Sequence, residues 1–278
     1  MSRAVSLGEA WREASQRIER LDARLLLEHV CGCSHADLIA HADQELSPTQ
    51  AGQFAALIDR RERGEPLAYL VGSAYFCGLE FAVSPAVLIP RPETEVLVEQ
   101  ALVHAQGIEA PRLVDMGTGS GIVAILLARR CPQADVTAVD VSPAALAVAR
   151  ANAERHAPQI RFCESDWYTA LGDERFDLIV SNPPYVVEGD PHLQQNGLPF
   201  EPQTALTDGI TGGDGLACIR ALIAGAPSHL RPAGWLLIEH GYDQAVQVRQ
   251  GLQASGFAAV ASWRDDAGIE RVSGGQWL

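Results

Sequence analysis

"RLVDMGTGSGIVAILLARR" (residues 112–130) runs from a short apolar stretch through three glycines into a second apolar stretch at helical spacing. A buried strand that passes through a glycine-rich turn into a helix is the opening unit of a parallel α/β sheet. The alternation continues downstream. Strands are expected at "DVTAVD" (135–140), "IRFC" (160–163), "FDLIVS" (176–181) and "GWLLIEH" (234–240), with helices near 120–130, 143–156, 214–229 and 242–255. Near-continuous apolar strands separated by helices imply a sheet covered on both faces, and right-handed crossovers make it doubly wound. A ligand is expected at the carboxyl ends of its strands.

The glycine loop narrows the ligand. Gly117, Gly119 and Gly121 remove side chains where the backbone must turn tightly and approach a bound group. A nicotinamide fingerprint places its third glycine three residues after the second, whereas here it comes two after. Asp115 stands at the loop's entrance, where it suits a cation better than a pyrophosphate. Asp140, ending the next strand, is placed to accept hydrogen bonds from two ribose hydroxyls. This pattern suits S-adenosylmethionine, which carries a sulfonium and an ammonium and no phosphate; a βα turn without a ligand is the alternative. Asp166 and Trp167 follow the third strand and are candidates to flank an adenine, or else a loop aspartate and a half-buried tryptophan.

The fourth strand ends in "SNPPY" (181–185). Two prolines cannot extend a ladder, because each lacks an N–H and has a fixed φ. They rigidify a turn that carries Asn182 and Tyr185 on the ligand edge of the sheet. A planar nitrogen is a poor nucleophile because its lone pair is delocalised. The Asn182 side-chain oxygen and the Pro183 carbonyl are expected to accept its two N–H bonds and favour a pyramidal, positively charged transition state. Tyr185 is expected to pack on the flat face of the substrate group.

Composition bounds the partners. The chain has 278 residues, 47% hydrophobic, enough for a large core and a small appended domain. A formal charge of −14 repels polyphosphates, and the densest basic stretch, Arg60, Arg61 and Arg63, is interrupted by Glu62, so no direct nucleic-acid partner is expected. No apolar run is long enough to span a bilayer and no export signal is evident, so a cytoplasmic protein without a membrane partner is expected. The six cysteines read as reduced thiols. His29, Cys31, Cys33 and His35 offer four metal-ligand types, but they straddle a helix break at Gly32 and lack the usual zinc spacing, so no metal is expected.

Three domains are expected. Residues 1–66 place Ile18, Leu21, Leu25, Leu26, Leu38, Ile39, Phe54, Leu57 and Ile58 at helical spacing, a small helical bundle suited to substrate docking. Residues 67–89 read as a hairpin linker, and 90–278 as the catalytic domain.

Taken with "LIPRPETE" (88–95), "AVDVSPAALAVARANA" (138–153), "EPQTAL" (201–206) and "GGDGL" (212–216), the glycine loop and the NPPY turn resemble the HemK/PrmC family of protein-glutamine methyltransferases. The resemblance covers about residues 67–272, and the amino-terminal quarter is similar in pattern. It implies a seven-stranded Rossmann-like S-adenosylmethionine-dependent methyltransferase domain acting on the glutamine of the Gly-Gly-Gln loop of class 1 peptide chain release factors; a monomer is expected, though nothing in the residues bears on self-association. It carries cofactor contacts onto Gly117, Thr118, Gly119, Ser120, Gly121, Asp140, Trp167 and Asn182, and substrate contacts onto Asn182, Pro183, Pro184 and Tyr185. Arg91 and Glu93 fall in a segment near the family's site, with a structural ion pair as the other role. The stretch "ALTDGITGGDGL" (205–216) is a few residues longer than the family's usual link.

Two other readings stand beside this one, the first of which uses the same turn. An adenine N6-methyltransferase faces the same nitrogen problem but needs a basic face and a flipped base. A binding module would hold release factors without turnover. Finally, Gly274, Gly275 and Gln276 repeat the substrate motif in the tail; they are expected to lie in a last antiparallel strand rather than to act as a pseudo-substrate.

Overall fold

A computed structural model describes residues 5–278. The chain divides into two compact units, Met1–Ser73 with Gln194–Phe200, and Ala74–Leu193 with Glu201–Leu278. Residues 1–4 of the expected bundle lie outside the described residues.

The first unit holds α1 (Leu7–Ala14), α2 (Arg20–Cys31), α3 (His35–Ala40), α4 (Pro48–Glu62) and α5 (Leu67–Val71). Serine caps start three of them: Ser6, Ser34 and Ser47 each accept a backbone N–H at the third helical position, whose Glu9, Asp37 or Gln50 side chain returns the bond. Gly32 closes α2 in a left-handed conformation. Leu26, Leu27, Leu38, Phe54 and Ile58 are buried together. Leu21 and Ile39, expected in that core, are 56% and 63% exposed, because helical spacing marks a broader stripe than the short α3 and the start of α2 bury. The His/Cys stretch does not converge: the His35 ring packs edge-on against Trp11, 5.8 Å between centroids. Among the described residues no three His, Cys, Asp or Glu side chains are grouped to hold a metal ion.

The stretch expected as a hairpin linker opens instead with helix α5, which Pro66 starts and Gly72, at φ 77°, ends. The hairpin follows as β1 (Ser73–Phe76) and β2 (Leu79–Ala82).

The second unit continues with α6 (Thr94–Ala105), β3 (Arg112–Met116), α7 (Ile122–Arg130), β4 (Asp135–Asp140), α8 (Pro143–His156), β5 (Arg161–Glu164) and β6 (Phe176–Ser181). After it come α9 (Gln203–Leu206), α10 (Ala217–His229), β7 (Leu230–Glu239), α11 (Ala245–Ala254), β8 (Ala258–Arg264) and β9 (Glu270–Gln276). The seven-stranded sheet has the order β5-β4-β3-β6-β7-β9-β8. Its first five members are parallel, and β9 is antiparallel to both neighbours. β7 begins four residues before the expected Gly234, since Leu230 already pairs with Phe176 and an irregularity in the ladder accommodates Pro232. The strand order reverses between β3 and β6, with Met116 opposite Ser181. Their carboxyl ends therefore deliver the glycine loop and the NPPY turn side by side at the switch point. No described helix is long and apolar enough to cross a membrane.

Candidate active site

The glycine loop is tied down at both ends. Gly117 and Thr118 donate backbone N–H bonds to the Val139 carbonyl at 2.8 and 2.9 Å, and Gly119 N–H donates to Asp140 Oδ2 at 2.9 Å. Gly121 starts α7 at φ 85°, and a Cβ there would stand 3.1 Å from the Ala149 Cβ of α8. Both the left-handed backbone and the close helix contact demand glycine. Its role is packing, and it does not line the cavity described next. Asn152, fully buried on α8, donates to the Ser120 and Ala82 carbonyls at 2.9 Å each and accepts from Ala82 N–H at 2.7 Å. It pins the loop to the hairpin. Sequence reasoning passed over it, although an amide inside an alanine-rich helix face was a signal.

A cavity of about 500 Å³ opens at this edge. Of the expected cofactor residues, Asp115, Gly117, Thr118, Gly119 and Ser120 line its floor. Asp140, Asp166, Trp167 and Asn182 line its walls. Trp167 adopts a left-handed φ of 47°, its carbonyl accepts from Ser165 Oγ at 2.8 Å, and its ring lies against the glycine loop, 3.8 Å from where a Cβ on Gly117 would stand. Holding a bulky residue there costs on the order of 1 kcal/mol, which aims the ring at the cavity.

The wall is acidic. Asp115, Asp140, Asp166, Glu188 and Asp208 line it, and Arg91 is the one cationic side chain among its lining residues. Arg91 is already paired with buried Glu201, which also accepts from Ile89 N–H at 3.0 Å. Burial pushes the Asp115 carboxyl up to about 7, against the Thr118 hydroxyl at 2.6 Å and the Ala124 N–H at 3.2 Å that pull it down. Burial also raises Asp140, while N–H bonds from Ser142 and Gly119 lower it. Carboxyls this short of solvent are stabilised by a cationic ligand. Glu93, by contrast, faces Arg271 at 3.6 Å, an ion pair away from the lining residues.

The NPPY turn is held from behind. Ser181 Oγ donates to the Met116 carbonyl at 2.7 Å, locking β6 to β3 where the turn begins. Asn182 Nδ2 donates to Thr94 Oγ1 at 3.1 Å, which leaves the amide oxygen for an incoming donor. Pro184 lines the cavity, while the Pro183 side chain is buried and does not. Tyr185 departs from expectation: its ring packs against the apolar core of β6 and β7, and its hydroxyl donates to Glu239 Oε1 at 3.4 Å. A phenol with a buried carboxylate partner gains more by turning inward than by facing solvent. Its carbonyl accepts from Gln244 Nε2 at 3.0 Å. Thr94 and Glu239 were not singled out from the sequence, though a carboxylate ending the apolar run "LLIE" was a signal.

Comparison with known proteins assigns the family. Residues 9–72 match the PrmC N-terminal domain model and residues 92–196 the Methyltransferase small domain model. The release factor glutamine methyltransferase of Bordetella pertussis is 51% identical over 263 residues, covering 94% of this chain and 96% of that protein. The chain belongs to the release factor glutamine methyltransferase family. A second member, from Xylella fastidiosa strain Temecula1, is 50% identical over 95% of both chains. Among solved structures, a 16S rRNA N2 methyltransferase from T. thermophilus in complex with AdoMet and guanosine aligns with TM-score 0.53 at 22% identity, covering 74% of this chain and 50% of that one. It shares the fold.

Proposed function

We propose that this family member transfers a methyl group from S-adenosylmethionine to the side-chain amide nitrogen of the glutamine in the Gly-Gly-Gln motif of class 1 peptide chain release factors. The observation that carries the reading is the anchored Asn182 amide, whose nitrogen is taken by Thr94 and whose oxygen is left for a donor at an acidic, glycine-floored cavity. The relatives' shared name supplies the substrate. Peptide release is a cytoplasmic process, so we place the reaction there.

The cavity's chemistry fits the cofactor. Its glycine floor admits a nucleoside closely, its carboxylates suit a sulfonium and an ammonium, and it offers no free cation for a phosphate. Asp115 and the loop residues Thr118, Gly119 and Ser120 would hold the charged end. Each Asp140 oxygen takes one backbone N–H and keeps lone pairs for ribose hydroxyls. Asp166 and Trp167 would flank the adenine. When bound, the cofactor supplies an electrophilic methyl group.

The chain's own residues handle the nucleophile. Asn182 Oδ1 and the Pro183 carbonyl accept the two amide N–H bonds, and the prolines hold both acceptors before substrate arrives. Two oxygens facing a nitrogen that gains positive charge lower the barrier. Pro184 walls the site, and Tyr185 braces the turn from the core side. The alkylated nitrogen is acidic, so its proton leaves to solvent.

Intact-mass measurement of a release factor after incubation with enzyme and cofactor tests the reading. A shift of about 14 Da, one methylene, is expected on the motif glutamine. Asn182→Ala is expected to lower turnover on the order of a hundredfold or more, with cofactor affinity little changed. Labelling of oligonucleotides without labelling of the release factor would sink the proposal, as would an Asn182→Ala variant within a few-fold of wild type.

A further inference from the structure

An asparagine amide is nearly symmetrical in shape, so hydrogen-bond partners alone decide whether its oxygen or its NH2 faces a ligand. Asn182 must present oxygen to accept a substrate N–H. The neighbour that decides is Thr94, 1% exposed at the start of α6, whose Oγ1 accepts from Asn182 Nδ2 at 3.1 Å. A hydroxyl that accepts there must send its own proton elsewhere. The Thr94 side chain also acts on the Glu239 carboxyl at the end of β7, favouring its ionised form. Glu239 is 1% exposed, takes the Tyr185 hydroxyl on Oε1 at 3.4 Å, and has no partner for Oε2 among the described residues.

We propose that ionised Glu239 is a positioning residue that sets the direction of the chain Asn182 N–H to Thr94 O–H to Glu239 carboxylate, and so keeps the Asn182 oxygen turned toward the substrate. The proposal rests on the reading of Asn182 given above. An ionised carboxylate only accepts, so Thr94 must donate to it and is left an acceptor toward Asn182. A neutral group at 239 removes that constraint. A donor there reverses the chain: Thr94 donates to Asn182 Oδ1, and Asn182 meets the substrate N–H with its own NH2, a repulsive contact where an attractive one is needed.

The surroundings make the direction pH-dependent. Burial pushes the Glu239 carboxyl up to about 7, the charge of Glu93 at the head of α6 adds to this, and Thr94, Tyr185 and Arg271 of β9 pull it back. His240, next in the chain, turns its ring to Ser273 Oγ at 2.7 Å and to the Gly241 carbonyl at 2.9 Å. The ionised, correctly polarised state therefore fills as pH rises through about 7 and is lost as pH falls through it.

The test uses the full-length enzyme with a release factor carrying the Gly-Gly-Gln loop and radiolabelled cofactor, comparing wild type, Glu239→Gln, Thr94→Val, Thr94→Ser, the Glu239→Gln/Thr94→Val double variant and Asn182→Ala from pH 6 to 9. Wild-type kcat is expected to fall by up to about tenfold per pH unit below 7, as for loss of one required ionised group. Glu239→Gln is expected to lower kcat at pH 8 by roughly tenfold or more and to lose that acid limb, with KM and cofactor affinity within about threefold. Thr94→Val should match it, the double variant should be no worse than either single change, and Thr94→Ser should recover most of what Thr94→Val loses. If Glu239→Gln does not fold, the valine and serine variants carry the comparison. Loss of activity in Asn182→Ala with wild-type kcat and acid limb in Glu239→Gln, or in Thr94→Val, overturns the relay alone. Wild-type kcat in Asn182→Ala overturns the site reading on which the relay rests.

Discussion

Asp115 accepts hydrogen bonds from Thr118 and from Ala124 N–H, yet burial still raises its carboxyl from an ordinary value of 3.8 to about 7. Between those values the folded protein keeps a proton that the unfolded chain releases. The group therefore opposes folding increasingly as pH rises from about 4 to 7, and the effect levels off above 7. Asp115→Asn keeps the shape and removes the titration. Its stability relative to wild type is expected to grow with pH across that window, by at most about 1.4 kcal/mol per unit, and to be constant above it. Chemical denaturation of the ligand-free proteins at pH 5, 6, 7 and 8 checks this; a difference that does not change with pH would show that Asp115 is ionised throughout. Much of the site is legible at this scale because its parts are adjacent in the chain: Asp115 lies near the end of β3 and Thr118 and Ser120 on the loop that follows, and Asn182, Pro183 and Pro184 on one turn. Thr94 is not legible in this way. It lies 88 residues from Asn182 in sequence and 3.1 Å away in space.

At the scale of the element, β9 takes up the tail's Gly-Gly-Gln. Gly274 pairs with Leu237 of β7 and Ala261 of β8, so the motif lies between two strands. A Cβ on Gly274 would stand 2.5 Å from Leu237 Cδ2 and 2.6 Å from the Leu236 carbonyl, and one on Gly275 would stand 2.9 Å from the Phe257 Cβ. The two glycines are a packing requirement. Gln276, half-buried, donates to the Ala233 carbonyl at 3.0 Å. Gly274→Ala is expected to cost on the order of 1–3 kcal/mol as an overpacked core change, and Gln276→Ala under about 1 kcal/mol. Thermal unfolding of the two variants measures this, and tandem mass spectrometry of the enzyme after incubation with cofactor is expected to find no methyl group on Gln276. Equal loss in the two variants, or a methylated Gln276, would overturn the packing account. The motif was visible in sequence. Its burial depended on which strand β9 joins, a pairing that local pattern does not encode.

At the scale of the molecule, the amino-terminal unit has its own apolar core, Leu26, Leu27, Leu38, Phe54 and Ile58 among it, and none of its described residues lines the cavity. It also takes in Gln194–Phe200 from far along the chain, where a Cβ on Gly197 would stand 2.8 Å from Pro66 Cγ. Its role as a docking surface for the release factor is proposed on its having a core of its own and no part in the cavity lining. Deleting residues 1–66 is expected to raise KM for the protein substrate by tenfold or more while cofactor affinity stays within about threefold, since the lost contacts would serve binding and not the chemistry. Steady-state kinetics on release factor and calorimetric titration of cofactor decide it, and an unchanged KM would reject the docking role.

The sequence alone determined the strand–glycine–helix unit, the parallel core of the sheet and the identity of the two loops at its edge, because each rests on a period, a backbone restriction or a spacing within a few residues. The family followed from the order of those local motifs. Only the tertiary structure decided that Tyr185 turns to Glu239, that Thr94 fixes the Asn182 amide, that Arg91 is neutralised by Glu201, and that Gln194–Phe200 belongs with the helices. Each of these is a choice of partner among distant polar or apolar groups, and burial sets its strength by removing water as the competitor.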